Sequence, residues 1–363
     1  MKPRTLISFV DRDFPATPFF IDFLDDFINK KDAATNWHDQ LNENLQKQSA
    51  TILENARQPS PKILRDPLAQ KALNRSHELM VALLTGSIEK LAPFHNLFKF
   101  IVVVGIPRSG GSYLTKQLFE AIGMDATRVP RVIAHDGFPE LSPFFMANGY
   151  NAYTGMQRRM AEYLTMVELY FAKSRLHGGY LIVPKKASKA AYQGAFFNAI
   201  TGSQTEYVIT IRHPIACCVS TYEKSGGLPE NGKFMLRSAI EAWAARDYVL
   251  TSKEPESEIF SKDYFDVYLR FWEQYHCNLA LTGLSANKNW TIVPYTQESM
   301  QSMAGNFFSR FDTSKHADTF KTFDKRNRHP EWNDKAEASI LRVHNLWQSI
   351  GLQFPVNEIR QAW

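Results

Sequence analysis

Four short runs of apolar, largely β-branched residues stand out between residues 99 and 363. They read FIVVV at 100–104, YLIV at 180–183, YVITI at 207–211 and WTIV at 290–293. Runs of this length are typical of strands that are buried on both faces. A stretch with helical spacing follows each run, and strands that alternate with helices form a parallel sheet covered on both sides. The pattern therefore predicts an α/β fold with a parallel sheet flanked by helices.

The first 98 residues have a different pattern, in which apolar residues recur at helical spacing. Residues 19–28 place their apolar side chains on one face of a helix, and residues 66–91 repeat the 3.6-residue period over a longer stretch. Neither stretch contains a cluster of residues with catalytic chemistry. We predict a helical N-terminal extension over residues 1–98 and the main domain over residues 99–363.

Composition and charge narrow the classes of function. The chain has 363 residues, of which 44% are hydrophobic and 22% are charged, and this excludes a disordered or collagen-like protein. Residues 1–98 contain 12 basic and 12 acidic residues, so the whole net charge of +5 lies in residues 99–363. This excess is small for a nucleic-acid partner, which we do not expect, and it suits a domain that binds a small polyanion.

The sequence has no segment typical of a membrane span or a secretory signal, and its cysteines do not indicate a metal site. Its strongest apolar run is strand-sized, whereas a membrane span needs about 20 residues. Charged residues within the first 14 positions argue against a secretory signal. The three cysteines do not have the spacing of a metal site. We therefore expect a cytoplasmic protein with no membrane span and no metal.

The segment after the first strand has the spacing of a phosphate-binding loop. Gly105 to Ser112 matches G-x-x-x-x-G-K-[ST], except that Gly111 stands at the lysine position. Glycines let successive backbone N–H groups turn toward one anion, and the positive end of the following helix faces the same point. An NTPase also needs an aspartate for magnesium at the end of a later strand, where this chain has Arg212. The loop therefore predicts phosphate binding without the chemistry of a nucleoside triphosphatase.

A second group of residues suited to an anion follows the third strand. Arg212 leaves the strand, Pro214 fits the first turn of a helix, and Ser220 lies two turns further along. A guanidinium offers two parallel hydrogen bonds to a phosphate, and a serine hydroxyl adds one donor. Sites in parallel sheets lie beyond the carboxyl ends of the strands. Two anion sites at neighbouring strand ends suit a nucleotide with phosphates on both its 3′ and 5′ carbons.

Both segments resemble motifs of one enzyme family. PRSGGSYL at residues 107–114 resembles the 5′-phosphosulfate loop, P-[KR]-S-G-[TS]-[TS]-x-L, of sulfotransferases that use 3′-phosphoadenosine 5′-phosphosulfate (PAPS). Arg212, Pro214 and Ser220 match the 3′-phosphate motif of the same family, R-x-P-x-x-x-x-x-S. The resemblance implies a P-loop-like fold over about residues 99–350. It also implies transfer of a sulfuryl group from PAPS to a hydroxyl of a small molecule or glycan, which leaves 3′-phosphoadenosine 5′-phosphate (PAP) and needs no metal.

The resemblance also assigns roles to individual residues. The 5′-phosphosulfate is expected to contact the loop and the first helical turn, namely Arg108, Ser109, Gly110, Gly111, Ser112 and Tyr113. Gly111 departs from the usual threonine or serine of the family, so its backbone N–H replaces a hydroxyl donor. Arg108 is also expected to stabilise the leaving oxygen. The 3′-phosphate is assigned to Arg212 and Ser220, and the segment that contains Arg326 resembles the basic segment that closes over the nucleotide.

Transfer to a hydroxyl also needs a base, which in this family is a histidine or a glutamate. The segment after the loop helix contains His135, Asp136 and Glu140. His135 is preferred because the unperturbed pKa of histidine suits neutral pH, and Glu140 is the alternative. Lys186, after the second strand, resembles a lysine of the family, with Lys185 in place of an acid.

Two other functions fit parts of the same pattern. A nucleotide kinase with a degenerate P-loop would use ATP with Mg²⁺, and a non-catalytic protein would bind PAP and transfer nothing. The aromatic residues of stretches 150–153 and 264–272 either line an acceptor pocket or belong to the core. Transfer from labelled PAPS, or a preference for ATP, distinguishes these functions.

Overall fold

The computed structural model describes residues 16–30, 65–135, 150–286 and 289–363. The strands are β1 (Phe98–Gly105), β2 (Leu176–His177), β3 (Tyr180–Lys186), β4 (Glu206–Ile211) and β5 (Trp290–Pro294). The helices are α1 (Pro18–Ile28), α2 (Pro67–Thr85), α3 (Ala92–Leu97), α4 (Gly111–Ala121), α5 (Arg131–Ala134), α6 (Tyr150–Phe171), α7 (Gly194–Thr201), α8 (Pro214–Lys224), α9 (Ala239–Ser252), α10 (Tyr264–Leu281), α11 (Gln297–Arg310), α12 (Asn333–Ser349) and α13 (Val356–Ile359). Short 3₁₀ turns lie at Ile88–Leu91, Ser188–Tyr192, Glu256–Ser261, Leu284–Ala286, Arg326–Arg328 and Pro330–Trp332.

The sheet is mixed, with the strand order β2-β3-β1-β4-β5. Each of the four apolar runs forms a strand, and β4 pairs with β5 in parallel, as the sequence predicts. The prediction of an all-parallel sheet is wrong at the other edge, because β2 pairs with β3 in antiparallel orientation. Gly178 (φ 57°) and Gly179 (φ 88°) form the two-residue turn between them. Two successive positive φ values suit the tight hairpin turns that glycine allows, so the chain reverses here without a crossover helix.

The sequence determines both ends of helix α2, which precedes the first strand of the sheet. The side chain of Asp66 accepts hydrogen bonds from the N–H groups of Leu68 (2.8 Å) and Ala69 (3.1 Å). Pro67 occupies the first helical position, and Gly86 ends the helix in the left-handed region at φ 70°. The helical spacing predicted within residues 66–91 is therefore present as α2. The division into an extension over residues 1–98 and a main domain remains a prediction.

The chain forms two compact units. Of the described residues, the first contains 16–30, 65–101, 124–135, 150–189 and 199–204, and the second contains 102–123, 190–198, 205–286 and 289–363. In the first unit, α6 packs against α1 and α2, and its buried Glu162 accepts a hydrogen bond from the backbone N–H of Thr17 at 2.7 Å. In the second unit, Tyr264, Tyr268 and Trp272 of α10 are buried in the core, so the aromatic stretch 264–272 is packing. No helix in the described part of the chain is long and apolar enough to cross a bilayer.

Candidate phosphate-binding site

The loop between β1 and α4 lies against strand β4, and a glycine makes this possible. A Cβ atom on Gly105 would lie 2.0 Å from the Oγ1 of Thr210 and 2.6 Å from the Oγ of Ser109. The Ser109 hydroxyl donates to the carbonyl of Ile106 (2.7 Å) and is hydrogen-bonded to Thr210 Oγ1 (2.7 Å). The Ser109 N–H also bonds to the Ile106 carbonyl, at 3.2 Å. Both donors of Ser109, a predicted nucleotide contact, therefore hold the loop itself.

The start of helix α4 offers unused backbone donors. Gly110 precedes the helix with φ 90°, and no side chain caps the helix end. The N–H groups of Gly111 and Ser112 open the helix, where no carbonyl of an earlier turn exists to accept them. Together with the positive end of an 11-residue helix, they form a site suited to an anion.

Arg108 joins the two sequence motifs. Its Nε donates to the Oγ of Ser220 on α8 at 3.0 Å. Its backbone lies in the left-handed region at φ 76°. For a residue with a side chain this conformation costs about 1 kcal/mol or more, and such residues cluster at functional sites. The loop and the α8 motif, predicted separately, therefore meet at one side chain.

Arg212 is buried at 2% exposure and braces the loop. Its Nη1 donates to the carbonyl of Arg108 (3.0 Å), and its Nη2 donates to the carbonyl of Phe323 (3.4 Å). The guanidinium carbon lies 3.9 Å from the ring centre of Tyr295, and its Nε is buried without a protein partner. Tyr295 directly follows β5, and its ring supports the guanidinium of Arg212.

Arg326, from the basic segment after α11, lies near the same helix as Ser220. Its guanidinium carbon is 5.3 Å from the ring centre of Trp363, and that ring stacks on His213 at 3.7 Å. Burial, with a smaller contribution from the positive charges of Arg326 and Arg212, lowers the pKa of His213 to about 3. His213 is therefore neutral at physiological pH, and it directly precedes α8.

Three arginines of this unit differ from its other cations, several of which pair with carboxylates. Within the described ranges, no carboxylate forms an ion pair with the side chain of Arg108, Arg212 or Arg326. Cations gathered beside helix N-termini without a carboxylate suit an anionic ligand.

Comparisons of the chain with protein-family models, curated proteins and solved structures find no match. The assignment of a function therefore depends on these residues and on the motifs.

Tyr113, a predicted nucleotide contact, is engaged with the segment before Arg326. Its hydroxyl donates to the carbonyl of Asp318 at 2.6 Å, and its ring lies 4.6 Å from that of Phe320. Burial and the charge of Asp318 raise the pKa of Tyr113 to about 12, so the hydroxyl keeps its proton. Gln117 on α4 also bonds to Asp318, at 2.7 Å and 2.9 Å. Helix α4 thus fixes the course of this segment.

The preferred base lies in the first compact unit and contacts a predicted lysine. His135 is buried at 5% exposure, directly after α5, and its backbone forms an isolated parallel bridge with Lys186. The Nζ of Lys186 donates to the Nε2 of His135 at 2.8 Å, so this nitrogen carries a lone pair. Lys185 is fully buried, and its Nζ donates to the carbonyls of Val132 (2.9 Å) and Ile133 (3.1 Å).

The remaining predictions concern the alternative bases, the cysteines and metals. Asp136 and Glu140 lie outside the described residues. Cys217 and Cys218 are fully buried on α8, and burial raises the pKa of Cys217 to about 12, so both side chains pack in the core. In the part of the chain that the structure describes, no group of three or more His, Cys, Asp or Glu residues is placed to hold a metal ion.

Proposed function

We propose that this chain is a PAPS-dependent sulfotransferase with a P-loop-like nucleotide site, which transfers a sulfuryl group to a hydroxyl of a small molecule or glycan. The observation that supports this proposal best is the 3.0 Å hydrogen bond from Arg108 Nε to Ser220 Oγ. It joins the two motifs that resemble the 5′-phosphosulfate and 3′-phosphate sites of that family. A single phosphate site would not need both.

The nucleotide is expected to lie across both motifs. The backbone N–H groups of Gly111 and Ser112, the positive end of α4 and the side chain of Arg108 hold the 5′-phosphosulfate. The hydroxyl of Ser220 accepts from Arg108 and still has its own proton to donate to the 3′-phosphate. Arg212 and Arg326 supply positive charge at that end.

The chemistry needs little more than alignment and charge stabilisation. The acceptor oxygen attacks sulfur, a new S–O bond forms, and the bond from sulfur to the bridging oxygen breaks. That oxygen leaves with PAP and takes the electron pair, so negative charge grows where Arg108 is expected to lie. The acceptor proton passes to a base, for which His135 is the candidate. The products are PAP and a sulfate ester.

The first test of the proposal compares ligands by thermal unfolding. PAP should raise the Tm more than AMP at equal concentration, because AMP lacks the 3′-phosphate and its contacts. Equal shifts would remove the 3′-phosphate site from the proposal. A larger shift with ATP and Mg²⁺ would favour the nucleotide kinase. If PAP binds but radiolabelled PAPS transfers nothing to a panel of alcohols, phenols and sugars, the chain is a non-catalytic PAP-binding protein.

The Arg212→Ala variant tests the 3′-phosphate end of the site. We expect it to weaken PAP binding by about 30-fold or more, because it removes a buried charge from the phosphate and a brace from the carbonyl of Arg108. Titration calorimetry with PAP and AMP separates the two effects. Loss of affinity by the same factor for both ligands would show that Arg212 only braces the loop and does not bind the 3′-phosphate.

A further inference from the structure

The guanidinium of Arg326 depends on one aromatic ring for its position. The side chain is exposed, and in the described part of the chain it forms no ion pair with a carboxylate. Its backbone N–H is held by Asp324 at 2.8 Å, which fixes the main chain but not the guanidinium. The contact of the guanidinium itself is with the face of Trp363, 5.3 Å from the ring centre. A long side chain whose charged group makes one cation–π contact is oriented by that contact.

Trp363 in turn is firmly attached to the N-terminus of α8. Its ring stacks on His213 with an angle of 23° between the planes, and its Nε1 donates to the carbonyl of Arg360 at 2.8 Å. The carbonyl of Ala362 accepts the N–H of His213 at 3.0 Å. At 8% exposure the ring is a rigid support between imidazole and guanidinium. It therefore links Arg326 to the helix that carries Ser220.

We propose that Trp363 is a positioning residue that holds Arg326 toward the 3′-phosphate of the bound nucleotide. This inference rests on the proposed function, because it takes the 3′-phosphate as the ligand of Arg326. The depressed pKa of His213 agrees with it, since Arg212 and Arg326 both act on that imidazole and so lie near one point. Two like charges beside one neutral ring suit a doubly charged phosphate.

A double-mutant cycle tests the inference. Titration calorimetry measures PAP and AMP binding to the wild type, Trp363→Ala, Arg326→Ala and the double variant at one ionic strength. We expect Trp363→Ala to weaken PAP binding by about 5-fold and to leave AMP binding unchanged, on the scale of a cation–π contact that orders a side chain. The double variant should lose no more affinity than Arg326→Ala alone, because Trp363 acts through Arg326.

The matched control is Trp363→Phe, which keeps an aromatic face for Arg326 and should restore most of the PAP affinity. It also serves if Trp363→Ala does not fold, as judged by circular dichroism. Losses that add in the double variant, or equal losses for PAP and AMP, would overturn the inference and leave Trp363 as a support of α8 only. Equal affinity of the wild type for PAP and AMP would instead overturn the proposed function, and the role of Trp363 with it.

Discussion

Replacing Arg108 with alanine should lower the turnover number for sulfuryl transfer by at least about 100-fold, while PAPS affinity falls much less. In the proposed mechanism Arg108 lies where negative charge grows on the bridging oxygen, and an interaction that strengthens in the transition state acts mainly on kcat. Loss of one preorganised donor of this kind costs about 10²–10³-fold in rate. Initial rates at saturating PAPS, with the Kd measured separately, give both quantities.

The Arg108→Lys variant is the control for charge without geometry. Lysine keeps the positive charge but lacks the planar guanidinium, so the variant should retain partial activity. The contact with Ser220 is made by Nε, which lysine does not have. If Arg108→Ala binds PAPS weakly but reaches the wild-type rate at saturation, Arg108 is only a binding residue. Another cation, with Lys186 the first candidate, would then have to stabilise the leaving oxygen.

The His135→Ala variant should lower turnover by about 10²–10⁴-fold and leave PAP affinity nearly unchanged. That range is typical for loss of a general base, and the proposed nucleotide contacts lie on other residues. The Nε2 of His135 accepts from Lys186 in the structure, so the acceptor hydroxyl has to displace this bond before its proton is transferred. Turnover rates measured at several pH values, together with PAP titrations, distinguish a loss of chemistry from a loss of binding.

The competing assignment of the base is tested with Glu140→Gln. This change keeps the size of the side chain and removes its negative charge. We expect Glu140→Gln to turn over at close to the wild-type rate if His135 is the base. Normal turnover of His135→Ala combined with an inactive Glu140→Gln would move the base to Glu140.

The strands were predictable because burial on both faces leaves an unbroken apolar run in the sequence. Strand β3 extends beyond its apolar run, through Pro184 to Lys186. The buried Lys185 in this extension donates to backbone carbonyls. Strand β2 has two residues and no apolar run, so hydrophobic periodicity does not predict it. The turn of Gly178 and Gly179 was its one local signal, and that signal gives the antiparallel edge.

The parts of the candidate site that are formed by residues adjacent in sequence were predictable. The spacing of glycines and the arginine that leaves β4 predict which segments face an anion. Which donors remain for the ligand depends on partners distant in sequence, such as Thr210 for Ser109 and Asp318 for Tyr113. Trp363 has no local motif at all, because its relation to His213 exists only in the folded chain.

The hydroxyl pair of Ser109 and Thr210 has a consequence for ligand selection. It fastens the phosphate loop to β4, and β4 leads directly into Arg212. The close approach at Gly105 leaves no space for the loop to slide along its neighbour. Adjacent strands lie about 4.8 Å apart, so the sheet fixes the separation between the two loops that carry the proposed phosphate contacts. We therefore expect the proposed site to distinguish nucleotides by the spacing of their anionic groups, and PAP to bind more tightly than the isomer with its second phosphate on the 2′ carbon.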